Sequence, residues 1–242
     1  MEQRRYDEPF AKIAPGINSR IALEIWQDSI VKLWDVVDNL TQLRPEHTEF
    51  YGVTIFGSSR LTRISRHYDE VRTLARELAA MGCRIITGGG PGLMQAANEG
   101  ALDANPTMRE TSIGLNIHLP LEQTANTFVG RAYEHRTFFS RLQHFVLRSN
   151  AFIAVSGGIG TLLEIMMIWQ LLQVGHLYKT PLILIGPMWN GLLDWARTSL
   201  IEGEEALADP LDLEIPCCVE KAEDAVEIIR LHYSEWLAQG EW

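Results

Sequence analysis

Residues 151–164 read AFIAVSGGIGTLLE. The five apolar residues at 151–155 form a short run without polar alternation, the pattern of a strand covered on both faces. Ser156-Gly157-Gly158-Ile159-Gly160-Thr161 follows at once, and then an apolar stretch from Thr161 to Leu172 with the period of a helix. Strand, glycine turn and helix in direct succession are the unit of a parallel α/β sheet. Working outward, the same unit recurs. YGVTIF (51–56) runs into Gly57-Ser58-Ser59-Arg60, and CRIIT (83–87) runs into Gly88-Gly89-Gly90-Pro91-Gly92-Leu93-Met94. Further strands are expected at Ser112–Ile117 and Leu182–Ile185. Helices are expected at Tyr68–Met81, Leu93–Leu102, Arg136–Arg148, Leu192–Leu200 and Ala222–Leu237. The fold class is therefore α/β: a Rossmann-like, doubly wound, mostly parallel sheet with helices on both faces.

The first 45 residues read differently. Ile21, Ile25, Trp26, Ile30, Leu33, Trp34, Val37 and Leu40 recur near a 3.6 period and Pro45 closes the stretch, so Ile21–Leu43 is expected as an amphipathic helix. The expected organisation is a helical N-terminal extension over 1–45 and one nucleotide-binding domain over 46–242, long enough to bury a sizeable core.

Composition excludes several classes. The chain has 242 residues with 46% hydrophobic and 21% charged, ordinary for a globular protein. Its net charge of −10 makes it a poor general binder of nucleic acid or anionic membrane, although a small anion needs only a local pocket. Three cysteines without C-x-x-C spacing suggest neither a disulfide framework nor a zinc site, and a reducing compartment fits them. No signal peptide or membrane span is apparent, so the cytoplasm is the expected location, and no metal or cofactor is expected.

In open α/β sheets the ligand sits beyond the carboxyl ends of the strands, where these glycine turns lie. Glycine lets backbone approach a ligand closely, and a helix N-terminus offers unpaired N–H groups and a positive dipole end. The candidate anion-binding residues are Gly57, Ser58, Arg60, Gly88, Gly89, Gly90, Gly92, Met94, Gly157, Gly158, Gly160 and Thr161. The Gly88–Met94 turn lacks the lysine of a P-loop, and Gly158-Ile159-Gly160 lacks the third glycine of the dinucleotide fingerprint.

The strings VTIFGSSR, ITGGGPGLMQAANEGA, LPLEQTAN and FFSRLQHFVLRSNAFIAVSGGIGTLLE resemble the LOG family, named for the plant Lonely Guy cytokinin-activating enzymes and often labelled lysine decarboxylases. The resemblance runs from about Val53 to about Trp195 and rests on paired GGG-x-G-x-M and GG-x-GT-x-x-E motifs in a form that looks bacterial. It implies a dimer or larger homo-oligomer that cleaves the N-glycosidic bond of a nucleoside 5′-monophosphate, such as AMP or a cytokinin ribotide, to free base and ribose 5-phosphate. It places the catalytic roles on Arg141 and Glu164 and the phosphate on the two glycine loops. Two positions depart from the family pattern: Ser156 stands where proline is usual, and Leu142 where lysine follows the arginine.

The residues fit that chemistry. An oxocarbenium-like ribosyl cation calls for a carboxylate nearby, and Glu164 lies four residues beyond Gly160. Arg141 and Arg148 are seven apart on one helix, where a guanidinium can clamp phosphate. Glu122, Gln123 and Asn126, in the loop after Pro120, are candidates for holding base or ribose. His118, His135 and His144 show no metal-ligand spacing and are read as structural. The alternative function is a non-catalytic nucleotide or molybdenum-cofactor carrier of the same fold. Pyridoxal-phosphate decarboxylation is disfavoured, because no lysine lies in a glycine turn.

Overall fold

A computed structural model describes residues 24–32, 50–118 and 125–239. The chain divides into two units, Met1–Glu46 and His47–Trp242. In the first, residues 24–32 are helical. The remainder of the helix expected at Ile21–Leu43 lies outside the described residues.

The second unit is a seven-stranded sheet, parallel at every described pairing. The strands are β1 (Gly52–Phe56), β2 (Arg84–Thr87), β3 (Ser112–Ile117), β4 (Arg131–His135), β5 (Ala151–Ala154), β6 (Leu182–Ile185) and β7 (Pro216–Val219), in spatial order β4-β3-β2-β1-β5-β6-β7. The main helices are α1 (Arg66–Ala80), α2 (Leu93–Ala104), α3 (Phe138–Arg148), α4 (Ile159–Gln173), α5 (Asn190–Ala196) and α6 (Ala222–Gln239).

Strand periodicity divides the core into two layers. Val53, Ile55, Ile85, Ile153 and Ile183 point to one face and pack with Val71 and Leu74 of α1, Ala97 of α2 and Ile229 of α6. Phe56, Ile86, Leu115, Phe152 and Leu184 point to the other and pack with Phe145 of α3, Ile165 and Trp169 of α4 and Trp189.

The sheet has two strands more than the sequence pattern suggests. β4 (RAYEH) is charged and largely exposed, and β7 (PCCV) opens on proline; both are edge strands, where charge and proline are tolerated. The helix expected at Leu192–Leu200 is α5 followed by a π turn over Arg197–Ile201.

The chain steps outward from β1 to β4, then returns to lay β5 beside β1. This reversal is the switch point at which a doubly wound sheet opens a crevice. The Ser58 N–H donates to the Ser156 carbonyl across it at 3.0 Å.

Candidate active site

The turn after β2 is held from three sides. Gly89 and Gly92 have φ of 71° and 73°, in the left-handed region that favours glycine. A Cβ on Gly92 would also strike the backbone of Ser58 and Ser59, so the turn presses directly on the loop after β1. The Leu93 N–H donates to the Ser58 carbonyl at 2.9 Å. The Met94 thioether lies over Gly88 and Gly90. In the loop after β1, Arg60 is exposed and its backbone N–H donates to the Ser58 hydroxyl at 3.1 Å.

The turn after β5 is different. Gly157 is packed against Thr161, which is buried. Gly158 and Gly160 face open space: a Cβ on either would meet nothing within 4 Å, and neither has a left-handed φ. Gly160 lies in the first turn of α4, where glycine is less favourable than alanine by roughly 1 kcal/mol. Neither packing nor backbone conformation requires glycine there; close approach of a ligand would. The first N–H groups of α4 have no intrahelical acceptor.

Arg141 and Glu164 meet beside these turns. β4 ends at His135, and Thr137 caps α3 by accepting from the Ser140 N–H at 3.2 Å, so Arg141 enters the site from the first turn of that helix. Its Nε donates to the Leu115 carbonyl at 2.7 Å and its Nη2 to the Gly88 carbonyl at 3.3 Å, above the Phe145 ring. Nη1 stands 3.7 Å from Glu164 Oε1, with the two side chains 11% and 13% exposed. One guanidinium thus ties the β2 turn to the carboxylate on α4. Burial pushes the Glu164 carboxyl up to about 7, and the Arg141 charge only partly opposes this. Glu164 can therefore both hold and release a proton near neutrality.

Other expected site residues lie elsewhere or act differently. The Asn126 amide is engaged within the protein. Its Nδ2 lies 3.1 Å from the Gly89 carbonyl, 2.9 Å from the Gly90 carbonyl and 3.0 Å from Asn98 Oδ1, so it braces the glycine turn. Glu122 and Gln123 lie outside the described residues. Arg148 donates to the Tyr133 hydroxyl at 2.7 Å and to His144 Nε2 at 3.3 Å. His135 Nε2 and His144 Nδ1 are 3.0 Å apart. Burial leads in lowering both histidines, His144 to about 4, in keeping with neutral structural groups. Leu142 is 9% exposed, so this position points into the body of the protein. Asn98 and Thr87, which the sequence reading passed over, form a buried network behind the turn. Their signal was an asparagine flanked at helical spacing by Met94 and Ala101.

Among the described residues no group of His, Cys, Asp and Glu could hold a metal ion, and no helix is long and apolar enough to cross a membrane. A separate cavity of about 1020 Å³ opens between α1 and α6, lined by Leu74, Val155, Ser156, Met188 and Glu223 among others. Neither Arg141 nor Glu164 lines it.

A doubly wound parallel sheet with glycine turns at its switch point and an Arg–Glu pair beside them defines a Rossmann-like α/β protein. The sequence profile of a family described as "Possible lysine decarboxylase" matches residues 94–229, more than half of the chain, and the chain belongs to this, the LOG family. It is 27% identical over 188 residues to cytokinin riboside 5′-monophosphate phosphoribohydrolase LOG3 of Arabidopsis thaliana, covering 75% of this chain and 83% of that protein. It is 26% identical over 164 residues to a probable cytokinin riboside 5′-monophosphate phosphoribohydrolase, LOGL3, of Oryza sativa subsp. japonica, covering 67% and 76%. Among solved structures, the molybdenum cofactor binding protein of Rippkaea orientalis superposes with a TM-score of 0.56 at 20% identity, covering 76% of this chain and 98% of that one. The molybdenum cofactor carrier protein of Chlamydomonas reinhardtii superposes with a TM-score of 0.57 at 18% identity, covering 77% and 99%. At these identities the structures speak for the fold alone.

Proposed function

We propose that the protein is a phosphoribohydrolase that cleaves the N-glycosidic bond of a nucleoside 5′-monophosphate, AMP or a cytokinin ribotide, releasing the base and ribose 5-phosphate. The observation that carries this reading is the Arg141–Glu164 pair, 3.7 Å apart beside glycine positions that face open space. The names of the curated relatives support it.

In this reading the phosphate sits on the first turn of α4, where Gly158 and Gly160 leave room and the N–H groups converge. The ribose then lies over Glu164, one turn further along. As the bond from C1′ to the base nitrogen breaks, the bonding pair leaves with the base and positive charge develops on the sugar ring. The ionised Glu164 carboxylate stabilises that charge and orients the water that adds to C1′. The water gives one proton to the departing base and its hydroxyl to the sugar, so the step balances without a cofactor. Arg141, fixed by the Leu115 and Gly88 carbonyls, orients Glu164 and supplies positive charge beside the phosphate.

The alternative is a nucleotide or molybdenum-cofactor carrier, which shares the fold and requires binding without turnover. We further propose a homo-oligomer. Ile159, Leu163, Met166 and Val174 form an exposed apolar stripe along α4, and Phe138 and Phe139 lie exposed at the start of α3. A helix apolar on both sides is normally covered on both, and a second copy of this chain is the proposed cover. The three cysteines are free, in keeping with a reducing, cytoplasmic setting.

The reading is tested by incubating the protein with a panel of purine and pyrimidine 5′-monophosphates and scoring free base and ribose 5-phosphate by chromatography. Release of both in equal amounts supports it; AMP bound but intact supports the carrier.

A further inference from the structure

Asn98 is fully buried on α2, a helix whose other sheet-facing positions, Ala97 and Ala101 among them, are apolar. A buried amide costs stability unless its hydrogen bonds are made, and here they are. Asn98 Oδ1 accepts from the Thr87 hydroxyl at 2.7 Å and from Asn126 Nδ2 at 3.0 Å. Its Nδ2 donates to the Ser112 hydroxyl at 2.9 Å, and that hydroxyl donates to the Phe128 carbonyl at 2.7 Å.

Besides a longer contact from Asn98 Nδ2 to the Ile113 carbonyl of β3 at 3.4 Å, the network reaches two short segments. The Thr87 hydroxyl, having donated to Asn98, accepts from the Gly89 N–H at 2.9 Å. Asn126 binds the Gly89 and Gly90 carbonyls through its side chain, and its backbone N–H donates to the Gly89 carbonyl at 2.8 Å. The Asn126 carbonyl group Oδ1 accepts from the Phe128 N–H at 3.1 Å. One buried side chain therefore fixes both the peptide planes of the β2 turn and the segment at 126–128 that lies against it. A turn of three consecutive glycines has many accessible conformations in the absence of such restraint, and a network of this kind polarises and rigidifies as a unit.

We propose that Asn98 is the positioning residue of the β2 turn: through Thr87 and Asn126 it holds Gly89 and Gly90 in the one arrangement that accepts the ligand. Asn98 touches no substrate in this account. It acts through the turn, and so on binding in the ground state and the transition state alike. For the identity of the ligand, the inference rests on the nucleotide reading.

The test compares the wild type with Asn98→Ala and with Thr87→Val, a near-isosteric change that removes the link between Asn98 and the Gly89 N–H. Amide hydrogen exchange is followed at residues 88–92, and kcat and KM are measured on AMP. The account expects exchange at 88–92 at least tenfold faster in both variants, with β1 and β5 unchanged. It expects KM at least tenfold higher and kcat within about threefold of wild type, the signature of lost uniform binding. A merely structural role would lower the thermal midpoint and the active fraction but leave KM and the turn's exchange unchanged; that result overturns the proposal. Should Asn98→Ala not fold, Thr87→Val decides alone. Should the wild type neither bind nor cleave AMP, the nucleotide reading fails, and the positioning role then stands or falls on exchange at 88–92.

Discussion

Arg141 Nη1 and Glu164 Oε1 face each other at 3.7 Å with both side chains largely withdrawn from solvent, yet the carboxyl sits up at about 7. The cation also binds two backbone carbonyls, and its charge only partly compensates the burial of the acid. An acid in this position is costly to the fold when ionised, and the cost has a measurable pH dependence.

A carboxyl that binds its proton more tightly folded than unfolded adds stability at low pH and loses it as pH rises through the folded value. Wild-type stability should therefore fall between the ordinary carboxylate range and about pH 7 by an amount attributable to Glu164. Glu164→Gln removes that dependence. Denaturant unfolding should show the variant more stable than wild type by about 1–3 kcal/mol at pH 8, with the difference vanishing near pH 4. An equal difference at both pH values would contradict the assignment.

Gly160→Ala separates a ligand site from a simple turn. The new methyl group meets no protein atom within 4 Å and sits in a helical turn, so unfolding should show a gain of roughly 0.5–1 kcal/mol. Binding of AMP, followed calorimetrically, should weaken at least tenfold, because the methyl occupies the space kept for phosphate. Unchanged affinity would place the phosphate elsewhere.

Arg141→Ala removes the groups that satisfy the Leu115 and Gly88 carbonyls and the partner of Glu164. We expect a loss of about 2–4 kcal/mol in stability, a raised KM and a kcat lower by at least ~10². Arg141→Lys should not restore activity, since an ammonium cannot serve two carbonyls and a carboxylate in one fixed plane. A fully active lysine variant, assayed by steady-state kinetics, would show that charge alone suffices.

Much of this architecture was legible in the sequence because β1, β2, β5 and β6 are short, mostly apolar runs that lead into glycine-bearing turns. Arg131–His135 and Pro216–Val219 were not, because edge strands carry charge or proline and are ordered by the neighbour they pair with. The glycine turns were legible through spacing alone, and the expectation of an anion there rests on their N–H groups. The pairing of Arg141 with Glu164 was not: it came from the resemblance, since nothing local to either helix sets the distance between them. Asn126 was visible as a polar loop residue, but whether its amide serves a ligand or the turn depends on where β2 and α2 lie in space.

The apolar stripe on α4 gives a prediction for assembly. Sedimentation at micromolar concentration should show a dimer or larger species for the wild type, and Met166→Glu, which places a charge in the stripe, should shift it toward the monomer. A wild-type monomer would contradict the second-copy assignment.

Turnover of AMP by the wild type and by Glu164→Gln, measured between pH 6 and pH 8, bears most directly on the central claim. The account predicts that wild-type kcat/KM rises with pH as Glu164 ionises through about 7, and that base and ribose 5-phosphate appear together. It predicts that Glu164→Gln still binds AMP while kcat falls by ~10²–10³. Equal turnover by the two proteins, or a wild type that binds AMP and releases no base, would contradict it.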